Sequence, residues 1–202
     1  MQQLIANARS FESHCAERGA EFSRLADGQS PQVLFITCSD SRVVPSLITG
    51  AAPGDLFELR TAGNIVPDYS NAQPAGETAT LEYAVRVLGV RHVVVCGHSH
   101  CGAVGALVRD DDLGAVPAVR DWLGNNAAPE RLRGGDAAIA ASPDLADPVQ
   151  RHALAQLDRL RAYPCISEGI EAGQLSLNAW FYEVHTGAVR QHSPETGVFQ
   201  PL

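Results

Sequence analysis

The chain has no lysine at all, and its acidic residues outnumber its basic ones. All 15 basic residues are arginines, against 23 aspartates and glutamates, so the formal net charge is −8 and the pI is near 5.3. A surface with this balance repels the phosphates of nucleic acids and of anionic membranes. We therefore expect neither a nucleic-acid partner nor a membrane partner.

Long apolar runs are also missing from the sequence. No stretch approaches the ~20 apolar residues that a transmembrane helix needs, and Asn7, Arg9 and Glu12 interrupt the region where a signal peptide would be apolar. Cysteine is scarce, with five residues at positions 15, 38, 96, 101 and 165. An odd number of cysteines favours metal binding or catalysis over a disulfide framework, and we expect a cytoplasmic protein.

Short apolar runs alternate with helical patterns along the chain. Residues 33–37, 56–60 and 92–96 predict buried strands, and residues 79–88 predict a helix that Gly89 ends. This alternation is typical of a parallel sheet with crossover helices. At 202 residues we expect a single domain over residues 1–202, of the α/β class, with a central, mostly parallel β-sheet flanked by helices.

The two ends of the chain predict different additions to this sheet. Apolar residues at helical spacing over residues 2–25, broken near Gly19, predict an N-terminal helical arm over residues 1–26, outside a catalytic core at 27–191. Ser142 and Pro143 suit the start of a helix that runs to about Tyr163. Residues 175–184 and 188–191 predict a β-hairpin whose last strand is antiparallel at the sheet edge.

Two predicted strands end in residues that bind metals. Cys38 follows the first strand, and His98 and Cys101 follow the third with the spacing H-x-x-C. Strand ends of a parallel sheet lie at one edge, so the three side chains can meet. Two thiolates and one imidazole suit zinc, and three protein ligands leave a fourth position open, as in catalytic sites.

An acidic and a basic residue follow Cys38 at alternate positions. Asp40 can accept a hydrogen bond from a zinc-bound hydroxide, and Arg42 can hold that carboxylate with two hydrogen bonds and keep it ionised. A non-catalytic zinc domain, structural or redox-sensing, is the alternative. It predicts a closed fourth position, filled by Asp40.

The segments CSDSR at residues 38–42 and HSHCG at residues 98–102 resemble the paired signatures of the β-class carbonic anhydrases. Other segments are similar to that family in the same order, and the resemblance covers roughly residues 25 to 190. It implies a zinc enzyme that hydrates CO₂ reversibly to bicarbonate and a proton. It also implies a homodimer, or a dimer of dimers, with each active site at a subunit interface.

The resemblance implies further roles for individual residues. Zinc, one ion per chain, would be bound by Cys38, His98 and Cys101, with Asp40 and Arg42 as the catalytic pair. Substrate-binding positions would be Gln29, Phe57, Ala62, Tyr83 and Gly102, where Ala62 replaces the valine of plant-type members. Some proteins of this fold hydrolyse CS₂ or COS instead, and the motifs do not separate these activities.

Overall fold

The apolar runs predicted as strands form the centre of one six-stranded sheet. The computed structural model describes residues 1–127, 132 and 144–202. The strands are β1 (Val33–Cys38), β2 (Leu56–Thr61), β3 (His92–His98), β4 (Ser176–Tyr182), β5 (Val189–Ser193) and β6 (Val198–Pro201). Their order is β2-β1-β3-β4-β5-β6. Strands β2, β1, β3 and β4 are parallel, and β5 and β6 are antiparallel. The predicted fold class is confirmed.

Helices connect these strands and cover the sheet. They are α1 (Gln2–Glu17), α2 (Gly19–Leu25), α3 (Pro45–Thr49), α4 (Gly76–Glu82), α5 (Gly102–Arg109), α6 (Pro117–Asn126), α7 (Ala146–Leu160) and α8 (Pro164–Glu171). A 3₁₀ turn follows β2 at Ala62–Asn64, and a π-helical turn follows α4 at Tyr83–Val87. Among the described helices, none is long and apolar enough to cross a bilayer.

Two of the three apolar clusters pack helices against the sheet, and the third, around Phe35, Val94 and Cys96, lies within the strands. The larger joins Leu34, Ile36, Val93 and Val95 of the central strands to residues of α7 and α8. The second surrounds the carboxyl ends of the strands and joins α5 to α7. In the N-terminal arm, by contrast, neither α1 nor α2 contains a buried residue. The break predicted near Gly19 is confirmed.

Three element boundaries differ from the predicted ones. The helix predicted at residues 79–88 begins at Gly76 and changes to π-helical hydrogen bonding at Tyr83. Ser142 and Pro143 lie outside the described residues, and α7 begins at Ala146, because Leu145 before it has a left-handed φ of 54°. The sheet also continues past residue 191 through β6, which the sequence pattern does not predict.

Candidate active site

Cys38, His98 and Cys101 come together at the carboxyl ends of two neighbouring strands. The register of β1 on β3 pairs Thr37 with Cys96, so Cys38 and His98 extend from adjacent strand ends. Cys101 precedes the first turn of α5. The ligand atoms of the three residues all lie within 4.8 Å of one another, and all three residues are buried. The predicted ligand set therefore forms one cluster.

The imidazole of His98 is oriented for a metal. Its Nδ1 lies 2.9 Å from the carbonyl oxygen of Ser99, to which it donates. Its Nε2 is buried and has no hydrogen-bond partner among the described residues. A buried nitrogen without a partner is costly, and a metal ligand would satisfy it. This orphaned nitrogen beside two sulfurs fits the donor set that zinc prefers.

The thiols of Cys38 and Cys101 differ in pKa. A hydrogen bond from the Cys101 thiol lowers the pKa of Cys38 to about 4, although burial acts in the opposite direction. The Cys38 thiolate in turn raises the pKa of Cys101 well above its usual value. The backbone N–H of Gly63 also donates to the Cys38 sulfur, at 3.4 Å. One sulfur of the cluster is thus ready to bind a cation.

Asp40 and Arg42 form the ion pair that the sequence predicts, beside the cluster. Oδ1 of Asp40 accepts from Nε and from the backbone N–H of Arg42, each at 2.9 Å, and Oδ2 accepts from Nη2 at 2.7 Å. These hydrogen bonds hold the pKa of Asp40 well below its usual range. Oδ2 lies 3.8 Å from Nε2 of His98, so the carboxylate faces the cluster in its ionised form.

Arg60 fixes the backbone between the ligand and the carboxylate. Its Nε and Nη2 donate to the carbonyl oxygen of Cys38 at 3.2 and 3.0 Å, and Nη2 also donates to the carbonyl oxygen of Asp40 at 2.8 Å. No local pattern in the sequence predicts this role. The register of β2 on β1 explains it, because Arg60 pairs with Thr37, the residue before Cys38.

Two of the predicted substrate positions lie beside the cluster. Ala62 begins the turn after β2 and precedes Gly63, whose N–H contacts the Cys38 sulfur. Gly102 follows Cys101 and opens α5, where backbone N–H groups are not used within the helix. Apart from its two chain neighbours and the backbone of α5, no atom of the described residues lies within 4 Å of the point where a Gly102 side chain would begin. This side of the cluster is therefore open.

The other three substrate positions lie away from the cluster of their own chain. Phe57 is four residues before Thr61, the partner of Cys38, which places it roughly 13 Å back along β2. The ring of Tyr83 lies 6.0 Å from that of Phe57, and Gln29 is exposed before β1. One chain alone therefore does not bring Gln29, Phe57 and Tyr83 to the cluster.

A parallel sheet whose strand ends carry a Cys-His-Cys cluster and an ion-paired carboxylate defines an α/β protein with a candidate metal centre. Comparison with known proteins then gives the family. The sequence model for "Carbonic anhydrase" matches residues 33–189, which include every residue of the cluster and of the ion pair. The chain belongs to the carbonic anhydrase family, and its structural neighbours place it in the β class.

Individual relatives agree with this assignment. A carbonic anhydrase of Pseudomonas aeruginosa is 45% identical over 172 residues, covering 85% of this chain and 78% of the relative. One from Synechococcus elongatus is 40% identical over 205 residues, covering 98% and 75%. The solved β-carbonic anhydrase CcaA is 38% identical with a TM-score of 0.90, covering 100% and 99%. A tetrameric β-carbonic anhydrase of Sordaria macrospora is 30% identical with a TM-score of 0.79, covering 98% and 97%.

Proposed function

We propose that the chain hydrates carbon dioxide reversibly to bicarbonate and a proton, with one zinc ion bound by Cys38, His98 and Cys101. The observation that carries the proposal is the ionised carboxylate of Asp40, which faces this cluster while Arg42 binds both of its oxygens. The named activity of the relatives supports the substrate. A cluster that only stabilised the fold would not need this ion pair.

Zinc, when bound by two thiolates and an imidazole, supplies the Lewis acidity that makes a water molecule more acidic. Asp40 accepts a hydrogen bond from the attacking water and so directs its lone pair at the carbon of CO₂. Arg42 keeps this carboxylate ionised, and Arg60 keeps the backbone of Cys38 and Asp40 in place. The water oxygen forms the new bond to carbon while one C=O π bond opens and its electron pair moves to the oxygen, which gives bicarbonate, and the released proton passes to buffer.

Substrate binding uses the open side of the cluster. The backbone of Gly102, at the first turn of α5, steadies a substrate oxygen, because an N–H group there has no partner within the helix. Ala62 lines the pocket with a side chain of a single carbon, which leaves room for CO₂. Ala62 directly precedes Gly63, whose N–H contacts the Cys38 sulfur, and Gly102 directly follows Cys101.

A second copy of the chain completes the pocket. We infer that Gln29, Phe57 and Tyr83 act on the cluster of a partner subunit, since they lie away from the cluster of their own chain. The side chains of Tyr83 and Val87 on the π-helical turn are exposed, and so is Leu47 on α3. Exposed apolar side chains of this kind favour a subunit interface. A homodimer, or a dimer of dimers, satisfies this requirement.

The cysteines support the proposed cytoplasmic location. All five are unpaired in the structure, and four of them are buried. Free thiols in this number are typical of a reducing compartment.

The alternative of a non-catalytic zinc domain needs Asp40 as the fourth ligand. Three hydrogen bonds from Arg42 hold that carboxylate instead, which favours the enzyme. Hydrolysis of CS₂ or COS on the same cluster is the other alternative. An assay that offers CO₂, CS₂ and COS to the purified protein distinguishes it from CO₂ hydration.

Stopped-flow CO₂ hydration by the purified, zinc-loaded protein tests the proposal, with CS₂ and COS as competing substrates. We expect one zinc per chain, CO₂ as the preferred substrate, and loss of both zinc and activity in Cys38→Ser. Cys15→Ser, which removes a thiol of the arm, is the matched control and keeps both. A wild type that binds zinc but hydrates CO₂ no faster than Cys38→Ser would refute the proposal.

A further inference from the structure

His152 is a buried titratable residue without a role in the reaction described above. It lies in α7, its side chain is 1% exposed, and its Nε2 is 2.8 Å from the carbonyl oxygen of Gly63. A carbonyl can only accept, so Nε2 carries the proton, and Nδ1 has no partner among the described residues. Burial lowers the pKa of His152 to about 4, so the ring is neutral near pH 7.

Gly63 connects this histidine to the metal cluster. Its N–H donates to the sulfur of Cys38 at 3.4 Å, while its carbonyl accepts from His152. The residue has φ 75° and ψ 21°, a left-handed conformation that favours glycine. A Cβ at this position would lie 3.0 Å from the Cβ of Ala103. The direction of the Gly63 N–H, and with it the contact to the Cys38 sulfur, is therefore set by the conformation of the Ala62–Asn64 turn.

Trp122 holds the other side of the same turn. Its Nε1 donates to the carbonyl oxygen of Ala62 at 3.0 Å. This carbonyl and the N–H of Gly63 belong to one peptide group, so a hydrogen bond to the oxygen strengthens the N–H as a donor. Helices α6 and α7 thus hold two successive peptide groups of the turn, one through Trp122 and the other through His152.

We propose that His152 and Trp122 are positioning residues that keep the Gly63 N–H on the sulfur of Cys38 and so tune this sulfur as a metal ligand. Neither side chain is itself one of the ligands, and the inference rests on the zinc site of the proposed function. The N–H···S hydrogen bond withdraws electron density from the thiolate. In a site with two thiolates, this preserves the Lewis acidity of the metal.

The test uses two substitutions of similar size at His152. His152→Gln keeps a side-chain N–H near the position of Nε2, and His152→Met keeps the length but has no donor. Zinc affinity is measured by competition with a chelator, and the sulfur-to-metal charge-transfer band is measured after cobalt substitution. In His152→Met we expect a band at longer wavelength, because the thiolate regains electron density, and roughly tenfold weaker zinc binding, because the Gly63 N–H no longer holds the sulfur in position. His152→Gln should stay within about twofold of the wild type.

Either of two results would overturn the proposal. His152→Met could match the wild type in affinity and spectrum, or the two variants could lose affinity equally, which would assign the effect to packing. If His152→Met does not fold, Trp122→Phe decides, because it removes the Nε1 donor while keeping an aromatic ring at a position that is only partly buried. It should shift the band in the same direction, and an unchanged spectrum would refute the role of the turn. Absence of CO₂ hydration in zinc-loaded wild type would refute the proposed function and leave these readouts intact.

Discussion

Asp40 and Arg42 are joined by three hydrogen bonds within a single turn of the chain, and one oxygen of the carboxylate also lies 3.8 Å from Nε2 of His98. The pair is therefore part of the cluster's surroundings and not a separate surface ion pair.

Asp40→Asn should lower kcat/KM for CO₂ hydration by roughly 100-fold while zinc content stays at the wild-type value, because the amide cannot accept and orient as the carboxylate does. Stopped-flow kinetics and metal analysis measure the two quantities. Asp111→Asn is the matched control, since Asp111 pairs with Arg109 at the same two-residue separation on the exposed surface. If both variants retain wild-type activity, the catalytic role of Asp40 is wrong.

The metal-free protein should lose stability as the pH falls from about 6.5 towards 4, in part through His152. Burial lowers the pKa of this residue from 6.5 to about 4, so the unfolded chain binds a proton that the folded chain does not. The free energy of unfolding should therefore fall by about 2 to 3 kcal/mol between pH 7 and 4.5 from this group. Urea unfolding of wild type and His152→Gln measures it, and the variant should lose less by that amount. If wild type and His152→Gln lose the same free energy of unfolding over this pH range, the folded state protonates the His152 ring without penalty and the prediction is wrong.

Close packing of α7 on β3 depends on Gly97. A Cβ at this position would lie 2.5 Å from Cγ1 of Val149, so Gly97→Ala should destabilise the protein by about 1 to 3 kcal/mol. Thermal unfolding measures the change. Gly124→Ala in α6 is the control, because no atom of the described residues outside its chain neighbours and its own helix backbone would lie within 4 Å of the new Cβ, and it should be neutral or stabilising. Adding Val149→Ala to Gly97→Ala should restore part of the loss, and failure of this rescue would contradict the packing argument.

The sheet centre and the Cys-His-Cys cluster could be predicted because each depends on a local pattern. Residues 33–37 and 92–96 are short, mostly apolar runs; Cys38 follows the first directly, and His98 follows the second after Gly97. Adjacent parallel strands then bring Cys38 and His98 together without further information. The spacing of Asp40 and Arg42 is local in the same way.

The residues that bind the Ala62–Asn64 turn beside the cluster could not be predicted, because their contacts join distant parts of the chain. His152 and Gly63 are 89 residues apart, and Trp122 and Ala62 are 60 apart. No periodicity in the sequence indicates such pairs, because a buried histidine on a helix, such as His152, fits the pattern of an ordinary core residue. Strand β6 could not be predicted for a different reason. It has only four residues and ends in Pro201, so its sequence has no strand pattern, and it is a strand only because it pairs with β5.

The proposal of a shared active site gives the last prediction. Tyr83 and Phe57 lie together, away from the cluster of their own chain, so we expect them to serve the cluster of a partner. One chain carries Cys38→Ser and loses its cluster. The other carries Phe57→Ala with Tyr83→Ala and loses these pocket walls. Each homodimer should be largely inactive.

A mixed dimer of the two chains distinguishes shared from separate sites. With different affinity tags, the heterodimer is co-expressed and purified over both tags, and its CO₂ hydration is measured per zinc and per dimer. If the walls come from the partner, one of the two sites is intact, since the interface is two-fold symmetric. Activity per dimer should then be about half that of the wild type, and activity per zinc should be about equal to it, because the Cys38→Ser chain holds no zinc. If each chain supplied its own walls, the heterodimer would have no intact site, and activity near that of the two homodimers would refute the shared pocket.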